Sequence, residues 1–261
     1  MKKVSFVLFS VVFIFSVVLP SCDKDSADKD NTGTAVYLPK KMYGTAQGDQ
    51  WNATFAYDDQ NRLIRATAVN REGGDETVIV ITYPAANECV IKNYYGGETQ
   101  PNRVYTAKET GNVIEVVRGD YYAGADTYIK DYYYTVADGR ITEYHNTGEV
   151  EIYTYDASGN ITQIGWSGAT AGPRSTTCEY DNKKGIFSNI NTPEWILWDV
   201  LDIDQIDDPW FFVNNITKLY RNEVLDVKYE YTYNSDGYPS AINITEYDED
   251  EEEKITVTIE Y

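Results

Sequence analysis

The densest set of oxygen donors in this chain is the stretch "LDIDQIDDPW", which carries Asp202, Asp204, Asp207 and Asp208. Such a set invites a calcium ion, which is held by several oxygens at once. An EF-hand-like loop would want a further oxygen ligand where Ile206 stands and a glycine where Asp207 stands, so the spacing fails and a solvated acidic loop is expected. A nucleophile is suggested by "GWSGA" from Gly165, but the strand-to-helix elbow needs a second glycine where Ala169 stands. His145 is the one histidine of the chain, so a serine–histidine pair would have to use it, and nothing nearby in sequence supports that. No C-x-x-C occurs and no second histidine can share a metal with His145, which argues against zinc. Glycosidases work with two carboxylates held about 5–10 Å apart, but with 42 acids and no distances no pair can be singled out. No phosphate loop or dinucleotide fingerprint is present. No catalytic, cofactor-binding or metal-ligating residue is therefore assigned.

One residue does carry chemistry by its position. Met1-Lys2-Lys3 is a short basic start, and the apolar run from Val4 to Leu19 has the length of a signal-peptide core, not of a spanning helix. The following Leu19-Pro20-Ser21-Cys22 resembles a bacterial lipobox. The resemblance implies cleavage between Ser21 and Cys22 and lipidation of the Cys22 thiol. Several acyl chains, at about 0.8 kcal/mol per buried CH₂, give stable membrane anchoring. Residues 22–35 ("CDKDSADKDNTGTA") hold almost no bulky apolar side chain and read as a flexible acidic tether. Acids directly behind the cysteine resemble the surface-export signal of Bacteroidetes lipoproteins, which implies an outer-membrane lipoprotein facing outward from the cell. The expected organisation is a signal peptide at 1–21, the tether at 22–35 and a single domain at 36–261.

Charge narrows the partners. Loss of Lys2 and Lys3 with the signal peptide takes the formal charge from −20 to −22. A surface this acidic repels phosphate backbones and anionic headgroups, so nucleic acid is excluded as a partner. Cys89 and Cys178 remain, each in a strand-like stretch; a disulfide and two buried thiols are both open readings.

The elements that would position any site follow from a repeated phrase. "YTYDASGNITQI" from Tyr153 is echoed by "FAYDDQNRLIRA" from Phe55, "YTVADGRITEY" from Tyr134 and "YTYNSDGYPSAI" from Tyr231. Tyr153 and Tyr155 share one strand face, Asp156 opens a turn by accepting from backbone N–H groups two positions on, and Gly159 supplies positive φ. Asn61 takes the glycine's place in one copy and Gly237 closes another, with Pro239 at the start of the next strand. Weaker turns at Gly96-Gly97, Gly111, Ala123-Gly124, Gly148 and Asn222 separate runs rich in Val, Ile, Thr and Tyr, and the "DEDEEE" run from Asp248 reads as the turn before the last strand. The pattern predicts an all-β antiparallel meander, curled into a barrel-like or strongly curved sheet. Tyrosine is abundant, 24 against 8 phenylalanines, and predicts a half-solvated face or wet interior with cross-strand tyrosine ladders. One helix is expected at about 193–202, with Thr192 as N-cap, Pro193 in the first turn, and Trp195 and Trp198 on a face that plugs the curled sheet.

The Tyr-Asp-x-x-Gly hairpins resemble YD/RHS-type repeats. Together with the lipobox, "YDNKKGIFSNI" at Tyr180, "NNITK" and "YNSDGYP", the chain from Trp51 to Tyr261 is similar to a Bacteroidetes lipoprotein family, a domain of unknown function with a porin-like barrel fold. That resemblance brings no activity and no catalytic residues. The terminal "KITVTIEY" alternates Ile255, Val257 and Ile259 as membrane barrels do, but other strands lack a lipid-facing apolar band, so sheet closure is its expected purpose. The expected function is non-enzymatic: a cell-envelope lipoprotein that binds a glycan or an envelope protein, with Trp51, Trp166, Trp195, Trp198 and Trp210 as candidate stacking residues. A structural or accessory subunit of an outer-membrane complex is the alternative, and a carboxylate-dependent hydrolase comes third.

Overall fold

The computed structural model describes residues 28–29, 35–46, 49–70, 74, 76–121, 128–168, 174–200, 213–247 and 252–261. Cys22 and its lipobox, Ala123-Gly124, Leu201, the aspartates of "LDIDQIDDPW", Trp210 and the first four residues of the "DEDEEE" run lie outside them. Two short strands, β1 (Asp28–Lys29) and β2 (Ala35–Val36), pair with each other. The strands β3 (Lys41–Ala46), β4 (Asp49–Tyr57), β5 (Leu63–Asn70), β6 (Glu76–Ala85), β7 (Glu88–Tyr95) and β8 (Arg103–Thr110) follow as an antiparallel meander. It continues through β9 (Val113–Asp120), β10 (Tyr128–Ala137), β11 (Arg140–Asn146), β12 (Glu149–Tyr155), β13 (Ile161–Gly168) and β14 (Arg174–Tyr180). The single described helix, α1 (Glu194–Val200), precedes β15 (Ile216–Arg221), β16 (Val224–Tyr233), β17 (Pro239–Tyr247) and β18 (Glu252–Glu260). β18 then pairs with β3, with Ile259 opposite Met42 and Val257 opposite Gly44, and the sheet closes as a 16-strand barrel without an edge.

Each reversal is built locally. Asp156 Oδ1 accepts from the N–H groups of Ser158, Gly159 and Asn160 at 2.7–2.9 Å. Asp58 and Asn234 repeat the arrangement, accepting from Gln60 and Arg62 and from Asp236 and Tyr238. The backbone then needs a left-handed residue, and Asn61 (φ 60°), Gly159 (φ 103°) and Gly237 (φ 82°) supply it. The tighter copy turns on Asp138 and Gly139, both at positive φ, as a two-residue hairpin requires.

A barrel of this many strands held round leaves an aqueous channel. Here one contiguous core joins inward residues from strands all around the wall, including Met42, Leu63, Ile91, Ile161 and Ile242, each fully buried. The opposite face of the same strands carries Lys92, Lys108, Glu115, Glu179, Lys218, Glu230 and Lys254. Along most of the wall apolar residues thus face in and charged ones out, the reverse of a lipid-embedded barrel wall. This sorting also corrects the expectation of a wet interior. The tyrosine ladder exists, with Tyr132, Tyr134 and Tyr144 in mutual ring contact at 5.3–5.8 Å, but it sits on the buried face.

The turns at Asp58, Asp138, Asp156 and Asn234 lie at one end of the barrel, because alternate connections of a meander share an end. Residues 181–200, which follow β14, cover that end. Ile186, Phe187, Trp195, Ile196 and Leu197 enter the core, and the ring of Phe187 meets Phe55 edge-on at 5.7 Å. Thr192, expected to cap α1, instead accepts from the Leu63 N–H of β5 at 2.6 Å. Asn191 N–H donates to the Asn61 carbonyl, and Asn189 donates to the Tyr37 carbonyl and the Tyr238 hydroxyl. The hydroxyl of Thr192 is worth more here as a staple, because it satisfies a buried strand-end donor. The plug reading holds; the capping reading does not.

Candidate functional site

On the outer wall, strand register assembles a row of side chains that no sequence window contains. Tyr133 on β10 stands opposite Glu115 on β9 and His145 on β11; His145 stands opposite Val150 on β12, and Val150 opposite Ser167 on β13. The rings of Tyr133 and His145 stack at 4.3 Å, only 9° from parallel. His145 Nε2 donates to Glu143 Oε2 at 2.7 Å, which fixes the ring, while Glu115 has no partner among the described residues. The face of the stack is open to solvent: Tyr133 is 41% exposed, and Ile152, two strands away on the same outer face, 46%. Gly165, opposite Ile152, leaves open space where a side chain would stand.

Beside the stack the wall parts. The β10–β11 ladder ends at the Tyr133–His145 pair, and β11 then reverses into β12 while β10 runs on beside β9 alone. The gap is a groove of about 550 Å³, lined by Glu115, Val117, Tyr133, His145 and Asn146, with the inward Val116 and Tyr132 at its floor. Volume, a flat aromatic surface and a carboxylate in the lining, Glu115, are the features of a site for a small polar ligand with an apolar face. A smaller hollow of about 130 Å³ follows the seam between the plug and the wall, beside Trp195 and Ile141.

The residues considered from sequence fare differently. Ser167 and His145 share the outer face, but the Val150 strand separates them, and two strand spacings amount to about 10 Å, beyond hydrogen-bond reach. Trp51 and Trp195 are buried in the core and Trp166 is half-buried on the inner face, so among the described side chains the exposed stacking surface is tyrosine and histidine; the side chains of Trp198 and Trp210 lie outside them. Cys89 and Cys178 are buried, not joined by a disulfide, and lie on non-neighbouring strands, which resolves that alternative. The sequence signal for the platform lay in "TYIKDYYYTV", where Tyr133 alone occupies the face opposite Tyr132 and Tyr134. Its pairing with His145 needed the register.

Fold and site together define a closed antiparallel β-barrel with a filled interior and a water-facing, aromatic-and-carboxylate groove in its wall. No family model matches the chain, and no curated protein matches it. Among solved structures it is similar to a porin-like protein from Bacteroides uniformis ATCC 8492, at 16% identity and a TM-score of 0.48, over 84% of this chain and 96% of that one.

Proposed function

We infer that this chain is a lipid-anchored cell-envelope module that binds an extracellular glycan, without catalysis, through the groove beside Tyr133 and His145. The stacked ring pair, with Tyr133 exposed, carries this reading: a sugar presents C–H groups to an aromatic face and hydroxyls to a flanking acceptor, here Glu115. The filled interior supports binding on the wall over transport through the barrel. Anchorage rests on the lipobox resemblance at Cys22, with the acidic residues behind it supporting display on the cell surface.

The test is binding of neutral and acidic polysaccharides, followed by calorimetry, to the wild-type chain and to Tyr133→Ala. Loss of a stacking surface should weaken binding about tenfold, equivalent to ~1.4 kcal/mol. Absence of any glycan binding, or equal affinity in the variant, overturns the reading. In that case, stoichiometric recovery of an envelope protein from gently solubilised membranes would favour the accessory-subunit alternative.

A further inference from the structure

The other end of the barrel, away from the plug, holds an unusual set of inward residues. Arg103 on β8 and Arg118 and Asp120 on β9 share the inner face with Tyr105, and Asn93 on β7 is the cross-strand neighbour of Arg103. Asp120 is the buried foot of the group. It accepts from Arg103 Nε at 2.7 Å and from Arg118 Nε and Nη2 at 3.0 and 2.8 Å. Arg103 Nη1 also reaches the Tyr105 hydroxyl at 3.4 Å.

Two guanidiniums on one carboxylate leave one positive charge in a chain of formal charge −20. Burying that excess is costly unless something compensates it. The arginines are not sealed: their side chains keep 21% and 25% of their exposure while Asp120 keeps 4%. Arg103 Nη2 and Arg118 Nη1 have no partner among the described residues. Next to them, Asn93 is 5% exposed and its Oδ1 is buried without a hydrogen bond. Buried amide oxygens in folded proteins are almost always satisfied, so an orphan beside an uncompensated charge calls for a donor from outside the chain.

We propose that Arg103, Arg118 and Asn93 form a second binding site, on the inner face at the end of the barrel opposite the plug, for a small hydroxy-carboxylate. The ligand's carboxylate takes the free arginine nitrogens, whose planar fork suits it. An adjacent hydroxyl donates to Asn93 Oδ1. Asp120 positions the two guanidiniums and does not touch the ligand.

The probes are sodium D-glucuronate, inorganic phosphate and D-glucose, added to the full mature chain and read by thermal shift and calorimetry. Glucuronate should raise Tm and bind, glucose should do neither, and phosphate should bind at least tenfold more weakly because it leaves Asn93 unmet. Arg118→Gln should abolish glucuronate binding. Because that change could unfold the chain by stranding Asp120, Asn93→Val is the second variant. It removes an unsatisfied group without disturbing a charge, so its ligand-free Tm should rise while its glucuronate affinity falls at least tenfold. Tyr133→Ala, on the outer wall, should leave glucuronate binding at this end unchanged, which separates the two sites. No response to glucuronate, or an undiminished response in Asn93→Val, overturns the proposal.

Discussion

The hydroxyl of Tyr155, at the end of β12, donates to the main-chain carbonyl of Ile141, near the start of β11, at 2.7 Å. The same latch recurs from Tyr57 to Pro39, Tyr83 to Leu63, Tyr180 to Ile161 and Tyr231 to Ile216, all at 2.7–2.8 Å. In each case an inward tyrosine near the turn end of one strand ties down the first residues of the strand before it, or the segment leading into that strand. At Tyr57, Tyr155 and Tyr180 the register shifts by one residue beside the tyrosine, which lets the turn begin. The choice of tyrosine at these five positions follows from this: an apolar ring fills the core's rim while its hydroxyl satisfies a carbonyl that phenylalanine would leave bare.

Tyr155→Phe should therefore lower stability by about 1 kcal/mol, the typical net value of one such hydrogen bond. Urea denaturation should show a lower midpoint with an unchanged slope. Tyr133→Phe, on the solvated face, serves as the control and should shift the midpoint little.

Gly44 sits where the barrel closes, and a Cβ there would lie 1.9 Å from the Thr256 carbonyl oxygen. Because the obstructing atom is backbone, Gly44→Ala should force β3 and β18 apart and cost about 1–3 kcal/mol, as overpacking does. Amide hydrogen exchange should accelerate along β3 and β18. Gly165→Ala, which meets open space, should be close to neutral by the same measurement.

Acid should unfold the barrel through its turns and its inner charge cluster. Burial opposes ionisation of Asp58, Asp156 and Asp120, but hydrogen bonds outweigh it and hold each carboxyl below its ordinary value: Arg62 with backbone donors at Asp58, Asn160 with backbone donors at Asp156, and Arg118 with Arg103 at Asp120. A carboxyl depressed by folding contributes stability in full above its unfolded pKa, about 3.9 for aspartate, and loses it as pH falls toward the folded value. The urea midpoint should be flat from neutral pH down to about 5 as far as these groups are concerned, then fall below about 4. Asp156→Asn should make the acid limb shallower.

Cys89 and Cys178 lie in the core on strands that do not pair. In a Cys22→Ser variant, a thiol reagent should label neither residue in the native state and both after denaturation. Rapid labelling of native protein would show that the inner wall opens far more readily than its packing implies.

The sequence by itself determined the parts that depend on a few neighbouring residues. Positive φ at Asn61, Gly159 and Gly237, the aspartate-held turns, the strand start at Pro239 and an apolar plug after Pro193 are all set within a handful of positions, because backbone sterics and side-chain–backbone hydrogen bonds act over that range. Tertiary structure alone decided the rest. Pairing of β18 with β3 filled the interior and sent the charged face outward. Docking of the plug against the start of β5 turned Thr192 from a helix cap into a staple on Leu63. Register along the β10–β11 hairpin, shifted by a bulge between Thr135 and Val136, stacked Tyr133 on His145, and register along the β8–β9 hairpin gathered Arg103 and Arg118 onto Asp120. Such contacts join residues on different strands, and a shift of one position in register would send each side chain to the opposite face of the wall, so no local pattern encodes them.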